Sequence, residues 1–361
     1  MLKKTIAILT LSLAFTALVC IHTSNATEYP TLHRGVRPLG MGGAFTAVAD
    51  DENALFYNPA GLAKISILNL GILNPLLEIS ENTIDMVKDA DSTNMDDTGE
   101  VTDFLREYVG KTQHARFSLF PYAGFNIADV GVMVGGLTQS TLDVTVRNPT
   151  WPEVHTRIVT DTGLLAGGGL KLPYTGLSGG MALKLISRKS LEEVYTAADI
   201  ADGIEFDDDM HSGSGISADI GVIYELPILK IVEPAAGITI QNFPSMDMGD
   251  AEELKSQVNL GLSVRKSIAF TELIGALDYH DLTNSLDEDE DFAKRIHIGV
   301  EVQLPMIVSL RTGFNQGYFT FGTTLEFGPL RIDFATYGEE VGAYAGQRVD
   351  RRTVFQFSFG W

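Results

Sequence analysis

The chain ends Phe355-Gln356-Phe357-Ser358-Phe359-Gly360-Trp361, aromatic residues alternating with small or polar ones up to the last position. Alternation with period two marks a strand that has one apolar and one polar face. An aromatic ladder of that kind at the open edge of a water-exposed β-sandwich invites pairing with other chains. It fits a sheet that closes on itself. The last strand then pairs with the first, its aromatic face meets lipid, and Trp361 sits at the membrane interface.

Working back from this end, the same period recurs. Gln257–Val258–Asn259–Leu260–Gly261–Leu262–Ser263–Val264–Arg265 alternates throughout, and so does the run from Arg295 to Leu304, with Arg295, His297, Glu301 and Gln303 on its polar face. Phe319, Phe321, Leu325 and Phe327 oppose Thr320, Thr324 and Glu326, and Ile216, Ala218, Ile220 and Val222 oppose Ser217 and Asp219. Short turns are expected at 129–130, 173–176, 227–230, 266–267, 305 and 328. Longer polar connections are expected at 147–153, 188–214, 243–256, 281–292 and 338–352, with a tight Asn315-Gln316-Gly317 between strands. Short and long connections alternating along the chain are the pattern of a membrane barrel with turns at one end and loops at the other.

Strands are expected near 64–73, 114–127, 131–146, 154–171, 178–188, 215–226, 230–241, 257–265, 268–280, 294–304, 307–314, 317–327, 329–337 and 353–361. That gives an all-β, transmembrane antiparallel β-barrel of about 14 strands. Its one long outer loop, 74–113, contains a short helix: Val101, Phe104, Leu105, Tyr108 and Val109 lie on one helical face, ended by Gly110.

The other end of the chain reads as an export signal. Lys3 and Lys4 precede an apolar run from Ile6 to Ile21, and Ser24-Asn25-Ala26 is a small-x-small cleavage site, so residues 1–26 are expected to be removed. The run is short for a membrane helix of about 20 residues. The single cysteine, Cys20, lies inside it behind Val19, which is too bulky for a lipoprotein signal. A mature chain without cysteine has no disulfide, thiol nucleophile or Cys-ligated zinc. With 47 acidic against 26 basic residues and a net charge of −21, the chain is not a nucleic-acid partner.

Between signal and barrel stands Arg37-Pro-Leu-Gly-Met-Gly-Gly-Ala-Phe-Thr-Ala-Val-Ala-Asp-Asp-Glu-Asn-Ala-Leu-Phe-Tyr-Asn-Pro-Ala-Gly-Leu-Ala63, non-periodic and dense in small residues that let backbone approach backbone. Residues 27–63 are expected to form a hatch inside the lumen, with 64–361 the barrel. Asn58-Pro59 is a turn pair, and Asn58, Pro59 and Ala60 are the candidate moving element of a gate or else a static turn that shapes the plug. Gly40, Gly42 and Gly43 complete the hatch set; with no strand before them and no helix-plus-lysine after, they are not a phosphate loop.

On the segment Gly40-Met-Gly-Gly-Ala-Phe-Thr-Ala-Val-Ala-Asp-Asp-Glu-Asn-Ala-Leu-Phe-Tyr-Asn-Pro-Ala-Gly-Leu-Ala63, and most specifically on Asn58-Pro59-Ala60, the chain resembles the FadL/TodX family of outer-membrane transporters and the related PorV-type barrels. The resemblance implies a monomer in the bacterial outer membrane, plugged by its N-terminal segment. It implies passive uptake of hydrophobic small molecules, long-chain fatty acid-like or aromatic, leaving sideways through the wall when the hatch shifts. It also implies contact with outer-membrane lipid and lipopolysaccharide. The barrel-assembly machinery would read Phe357, Phe359 and Trp361, as it reads similar terminal strands. The opening Leu39-Gly-Met-Gly-Gly is more like PorV-type members, some of which serve secretion, so a scaffold for protein secretion or surface assembly is the alternative.

Other chemistry is weaker. Phe104, Leu105 and Tyr108 are a candidate apolar landing site for a ligand, or a helix packed on its own loops. The acid runs 205–209 and 287–291 lack calcium-loop spacing and read as solvated surface, with weak divalent bridging to lipopolysaccharide the lesser reading, so no metal site or cofactor is expected. Arg295, His297, Glu301, Arg331 and Asp333 are expected in the lumen. A trio of His297, Asp278 and Ser263 has no G-x-S-x-G context, and no catalytic residue is assigned.

Overall fold

The computed structural model describes residues 31–174, 176–203, 210–226, 232–285, 291–305 and 307–360. The signal, the 227–230 turn, Trp361, the 205–209 acid run and most of the 287–291 run lie outside the described residues.

Fourteen antiparallel strands close into a barrel. Two of them are interrupted. β1 (Leu68–Leu73) and β2 (Leu76–Ser80) are two halves of the first, and β3 (Thr112–Leu119) and β4 (Tyr122–Ile127) two halves of the second. β1 and β2 both pair with the last strand, β18 (Val349–Gly360), while β3 and β4 both pair with β5 (Val130–Arg147). β6 (Glu153–Lys171), β7 (Leu177–Thr196), β8 (His211–Glu225) and β9 (Glu233–Phe243) follow, then β12 (Gln257–Ile268) and β13 (Thr271–Tyr279). β14 (Ile296–Gln303), β15 (Val308–Asn315), β16 (Tyr318–Phe327) and β17 (Leu330–Glu340) complete the ring. The missing labels, β10 (Met246–Met248) and β11 (Ala251–Leu254), form a separate small hairpin.

The expected two faces are present. Leu262, Val264, Leu277, Ile298, Val300, Leu310, Phe319, Phe321 and Phe355 point outward and are exposed, whereas Asn259, Glu301, Arg311, Thr320 and Gln356 are buried inside. Closure satisfies every strand edge, the condition under which strands cross a membrane. Among the described residues no helix is long and apolar enough to cross one.

Several boundaries differ from expectation, among them the last connection, which shrinks as β17 runs to Glu340 and β18 starts at Val349. The first strand resumes after Pro75, so the long connection runs 81–111 and holds two helices, α3 (Glu81–Ala90) and α4 (Thr98–Glu107). A proline within a strand leaves a gap in the ladder because it cannot donate to it. Here Asn74 stands in: its Nδ2 donates to Phe120 O at 2.5 Å and its Oδ1 accepts from Phe120 N at 2.9 Å. Second, β7 continues to Thr196 and β8 starts at His211, around a short helix, α5 (Ala197–Asp202). A strand needs only about 9–11 residues to cross a bilayer, and β5, β6 and β7 have 18, 19 and 20. Above the lipid both faces are wet, so the alternation that reveals a strand fades. Third, β12 runs to Ile268 and turns at Ala269-Phe270, not at 266–267.

Residues 31–65 lie inside the barrel. Two short helices, α1 (Val36–Gly40) and α2 (Ala54–Tyr57), are followed by a 3-10 turn, Pro59–Lys64. Asn58 caps that turn, its Oδ1 accepting from Ala60 N at 3.1 Å, and Pro59 takes the first position, where a missing N–H costs nothing.

Candidate functional site: the occupied lumen

The inner wall receives residues 31–65 on glycines. Gly131, Gly169, Gly180 and Gly221 stand directly opposite one another across β5–β8. Gly237 and Gly261 do so across β9–β12, and Gly299 and Gly313 across β14–β15. A Cβ at Gly131 would fall 1.7 Å from Leu62 O, one at Gly221 1.9 Å from Asn58 Oδ1, and one at Gly299 2.3 Å from Met41 O. Glycine inside a strand marks a place where another backbone comes close. Here the mark is repeated round most of the barrel.

The candidate hatch residues sit in this contact. Gly42 and Gly43 adopt φ of +65° and +86°, a region that favours glycine, and Gly42 O receives His297 Nδ1 at 2.8 Å. Gly40 packs against Gly322, and its carbonyl accepts from Thr320 Oγ1 at 3.0 Å. Asn58 is fully buried; its Nδ2 donates to Thr46 O at 2.8 Å and to Val222 O of the wall at 3.3 Å. The imagined trio serves the same contact. Asp278 Oδ2 accepts from Phe45 N and Thr46 N at 2.8 and 2.7 Å, and Ser263 Oγ donates to Ala47 O.

Opposite the apolar seat the segment is held by charge. Arg37 donates to Asp50 at 2.5 Å, Asp51 at 2.9 Å and Glu301 of β14 at 2.9 Å, while Arg311 also reaches Glu301 and Arg265 reaches Asp50. Arg331 pairs with Glu52 and with Asp333. Burial opposes the charge on Asp50, but Arg37 and Arg265 outweigh it and hold the carboxyl below its ordinary value. Asp51 is the contrast: burial, with Glu52 beside it, pushes it up to about 6.

The segment divides the interior. Toward the loop end, a cavity of about 80 Å³ has Leu32, His33, Phe56 and Tyr57 of the segment against Gln241, Asn259, His280, Arg295 and Glu339 of the wall. A second lies beside it among Arg34, Glu78, Arg116, Arg157 and Arg188. Toward the turn end, a cavity of about 260 Å³ is lined by Arg37, Asp51, Glu52, Arg311 and Arg331.

A row of rings leads from the first cavity to the wall. His33 and Phe56 have centroids 4.6 Å apart, Phe56 meets Phe120 edge-on at 4.9 Å, and Phe120 stacks on Tyr122 at 5.6 Å. Phe120 and Pro121 are the interruption of the second strand and lie beside Asn74-Pro75, the interruption of the first. Neither was legible as a site; a proline flanked by strand-like residues on both sides was the available signal.

The loop helix is where periodicity placed it. Leu105 and Tyr108 are buried with Val101, Val146, Val154 and Ala197, and Tyr108 Oη donates to Asp89 at 2.5 Å. Phe104 is half-buried at the margin of that cluster. At the terminus, Phe355, Phe357 and Phe359 turn outward, opposite buried Val354, Gln356 and Ser358.

No protein-family model matches the chain, and no curated protein sequence does. Solved structures do. The toluene transporter TodX of Pseudomonas putida superposes with a TM-score of 0.55 at 12% identity, over 93% of this chain and 100% of that one. The toluene transporter TbuX of Ralstonia pickettii gives 0.53 at 10%, over 91% and 98%. At such identity the likeness is one of fold, and by fold the chain is a FadL/TodX-like 14-stranded barrel.

Proposed function

We propose that the protein is a bacterial outer-membrane channel for passive uptake of hydrophobic small molecules, with residues 31–63 as its hatch. The turn end then faces the periplasm and the loop end the outside. TodX and TbuX are described as toluene transporters, and the same barrel supports an apolar cargo here. The observation that carries the reading is the ring row from His33 through Phe56 to Phe120, which joins the central cavity to two adjacent interrupted strands. A ligand leaving the cavity along those rings meets the wall where the ladder is already broken, between Asn74-Pro75 and Phe120-Pro121. Such an exit releases an apolar molecule into lipid, never into water. Asn58-Pro59-Ala60 is the element whose shift would loosen the hatch, since Asn58 ties it to wall carbonyls of β8 and β9. No catalytic residue or metal belongs to this reading.

The test is entry of toluene and dodecanoate into vesicles carrying the purified barrel. Wild-type protein is expected to speed entry over protein-free vesicles, and Asn58→Ala, which unfastens the hatch from the wall, to speed it further. Entry no faster than in empty vesicles, with no amphiphile found by mass spectrometry of the purified protein, would sink the proposal.

A further inference from the structure

The connection between β9 and β12 does not leave the barrel as an open loop. Its hairpin, β10–β11, turns at Gly249 and has one buried face: Met246 and Met248 are 1% exposed and Leu254 is fully buried. Asp247 and Glu253 face out. The buried face lies on the inside of the wall. Gly213 and Gly215 of β8 stand opposite Arg188 and Ile186 of β7, both buried in the lumen. A Cβ on Gly213 would stand 1.5 Å from Met248 O, and one on Gly215 2.3 Å from Met246 Cγ.

The polar contacts that hold the hairpin to the tall wall converge on Glu252. Arg157 of β6 donates twice to its carboxylate, at 2.9 Å each. Its backbone N donates to Ser190 Oγ at 3.0 Å, and its carbonyl accepts from Arg188 at 3.1 Å. Arg157 and Glu252 keep side-chain exposures of 24% and 31%, so water reaches the pair. Arg157 and Arg188 line one loop-end cavity; Asn242 and Gln257, at the two feet of the hairpin, line the other. The residues that fasten the hairpin, and those at its feet, thus border both loop-end cavities.

We propose that hairpin 246–254 is a hinged lid, a second barrier in series with the N-terminal segment, released when the Arg157–Glu252 pair parts. The inference rests on the channel reading. Methionine is unbranched and adapts to irregular apolar surface, so withdrawing Met246 and Met248 exposes a seat that an apolar ligand can cover. A ligand that fills the vacated seat binds the open form better than the closed one, and that difference shifts the population. The hinges are the exposed Ser245 and half-exposed Ser256, joined by one hydrogen bond from Ser256 N to Ser245 Oγ at 2.9 Å.

Two readouts separate the lid from the channel. In a Cys20→Ser background, Met248→Cys reports opening through labelling by a charged thiol reagent. Glu252→Gln, and independently Gly213→Ala, which wedges the hairpin off its seat, are each expected to raise the labelling rate at least about fivefold. In the same background, Ser190→Cys with Glu252→Cys allows an oxidised lock, the two residues being within disulfide reach. The lock is expected to slow entry of toluene and dodecanoate about tenfold or more, with reduction restoring it in the same sample. Labelling that ignores both substitutions, or a locked barrel as fast as the reduced one, overturns the lid. Labelling that responds while neither probe crosses wild-type vesicles supports the lid and overturns the channel.

Discussion

Two pieces of chain occupy the interior, residues 31–65 and hairpin 246–254, and both rest on inward-facing glycines. They are fastened differently. The N-terminal segment touches glycines on most of the strands and is tied by Arg37, Asp50 and Glu52 to three charged residues of the opposite wall, Glu301, Arg265 and Arg331. The hairpin covers two glycines and is fastened through Glu252 by one partly exposed ion pair with Arg157 and two backbone hydrogen bonds, with Ser190 and Arg188. A buried charge left without its partner is far costlier than an exposed one. The difference teaches which piece yields first: the hairpin opens at the smaller cost, that of uncovering its Met246, Met248 and Leu254 face, and the N-terminal segment moves only when several buried charge interactions change together.

The largest effect is expected from Arg37→Ala, which takes the guanidinium from Asp51 and one of two from both Asp50 and Glu301. Breaking a buried pair costs about 3–5 kcal/mol. Protease cleavage within 31–65 should become fast, while the barrel, bonded strand to strand, keeps its heat-resistant gel mobility. Retained protection would mean that glycine contacts alone seat the segment.

Gly180→Val comes next, because a Cβ there would meet the Pro59 carbonyl at 2.3 Å. Overpacking costs about 1–3 kcal/mol, so a fall in the unfolding midpoint is expected, against no fall for Gly213→Ala on the hairpin seat. Equal falls would erase the distinction. Asn58→Ala removes a cap and the link to the wall, for about 1–2 kcal/mol, read as easier cleavage near residue 60.

Asp51 gives a pH dependence. Its seated pKa of about 6 lies above the ordinary carboxyl value, so its contribution favours the seated segment at low pH and is lost as pH rises through 6. His33, which burial pushes down to about 3, stays neutral over that range. Release of the segment, measured by proteolysis, should be slower at pH 5 than at pH 7, and Asp51→Asn should flatten the dependence. The smallest effect belongs to Glu252→Gln. A half-exposed pair contributes no more than about 1 kcal/mol, so the unfolding midpoint should not move while the hairpin loosens. A clear drop would show that the pair supports the barrel as well.

The barrel was legible because lipid outside and a polar lumen inside impose period two on each crossing. Arg295 to Leu304 and the terminal phenylalanines carry that period plainly. The occupants of the lumen were less so. The run from Gly40 to Ala63 announced close backbone packing through its small residues, yet its receiving glycines lie far along the chain, from Gly131 against Leu62 to Gly322 against Gly40. Phe104, Leu105 and Tyr108 formed the expected helix, but periodicity gives a face and not what covers it; strand tips and a neighbouring loop cover most of this one. The first strand was expected to stop at Leu73, because a chain seen alone shows no Asn74 side chain reaching Phe120.

The sequence by itself determined the antiparallel strands, their alternating faces and the unusual character of the stretch before them, since those follow from local period, turn residues and small-residue density. The tertiary structure alone decided that glycines line up across β5–β8, that Arg37 finds Glu301, that two broken strands lie side by side, and that a Met-bearing hairpin folds inward. Each of these is a meeting of residues far apart in the chain, fixed by strand register round a closed ring, and no local pattern encodes register over that distance.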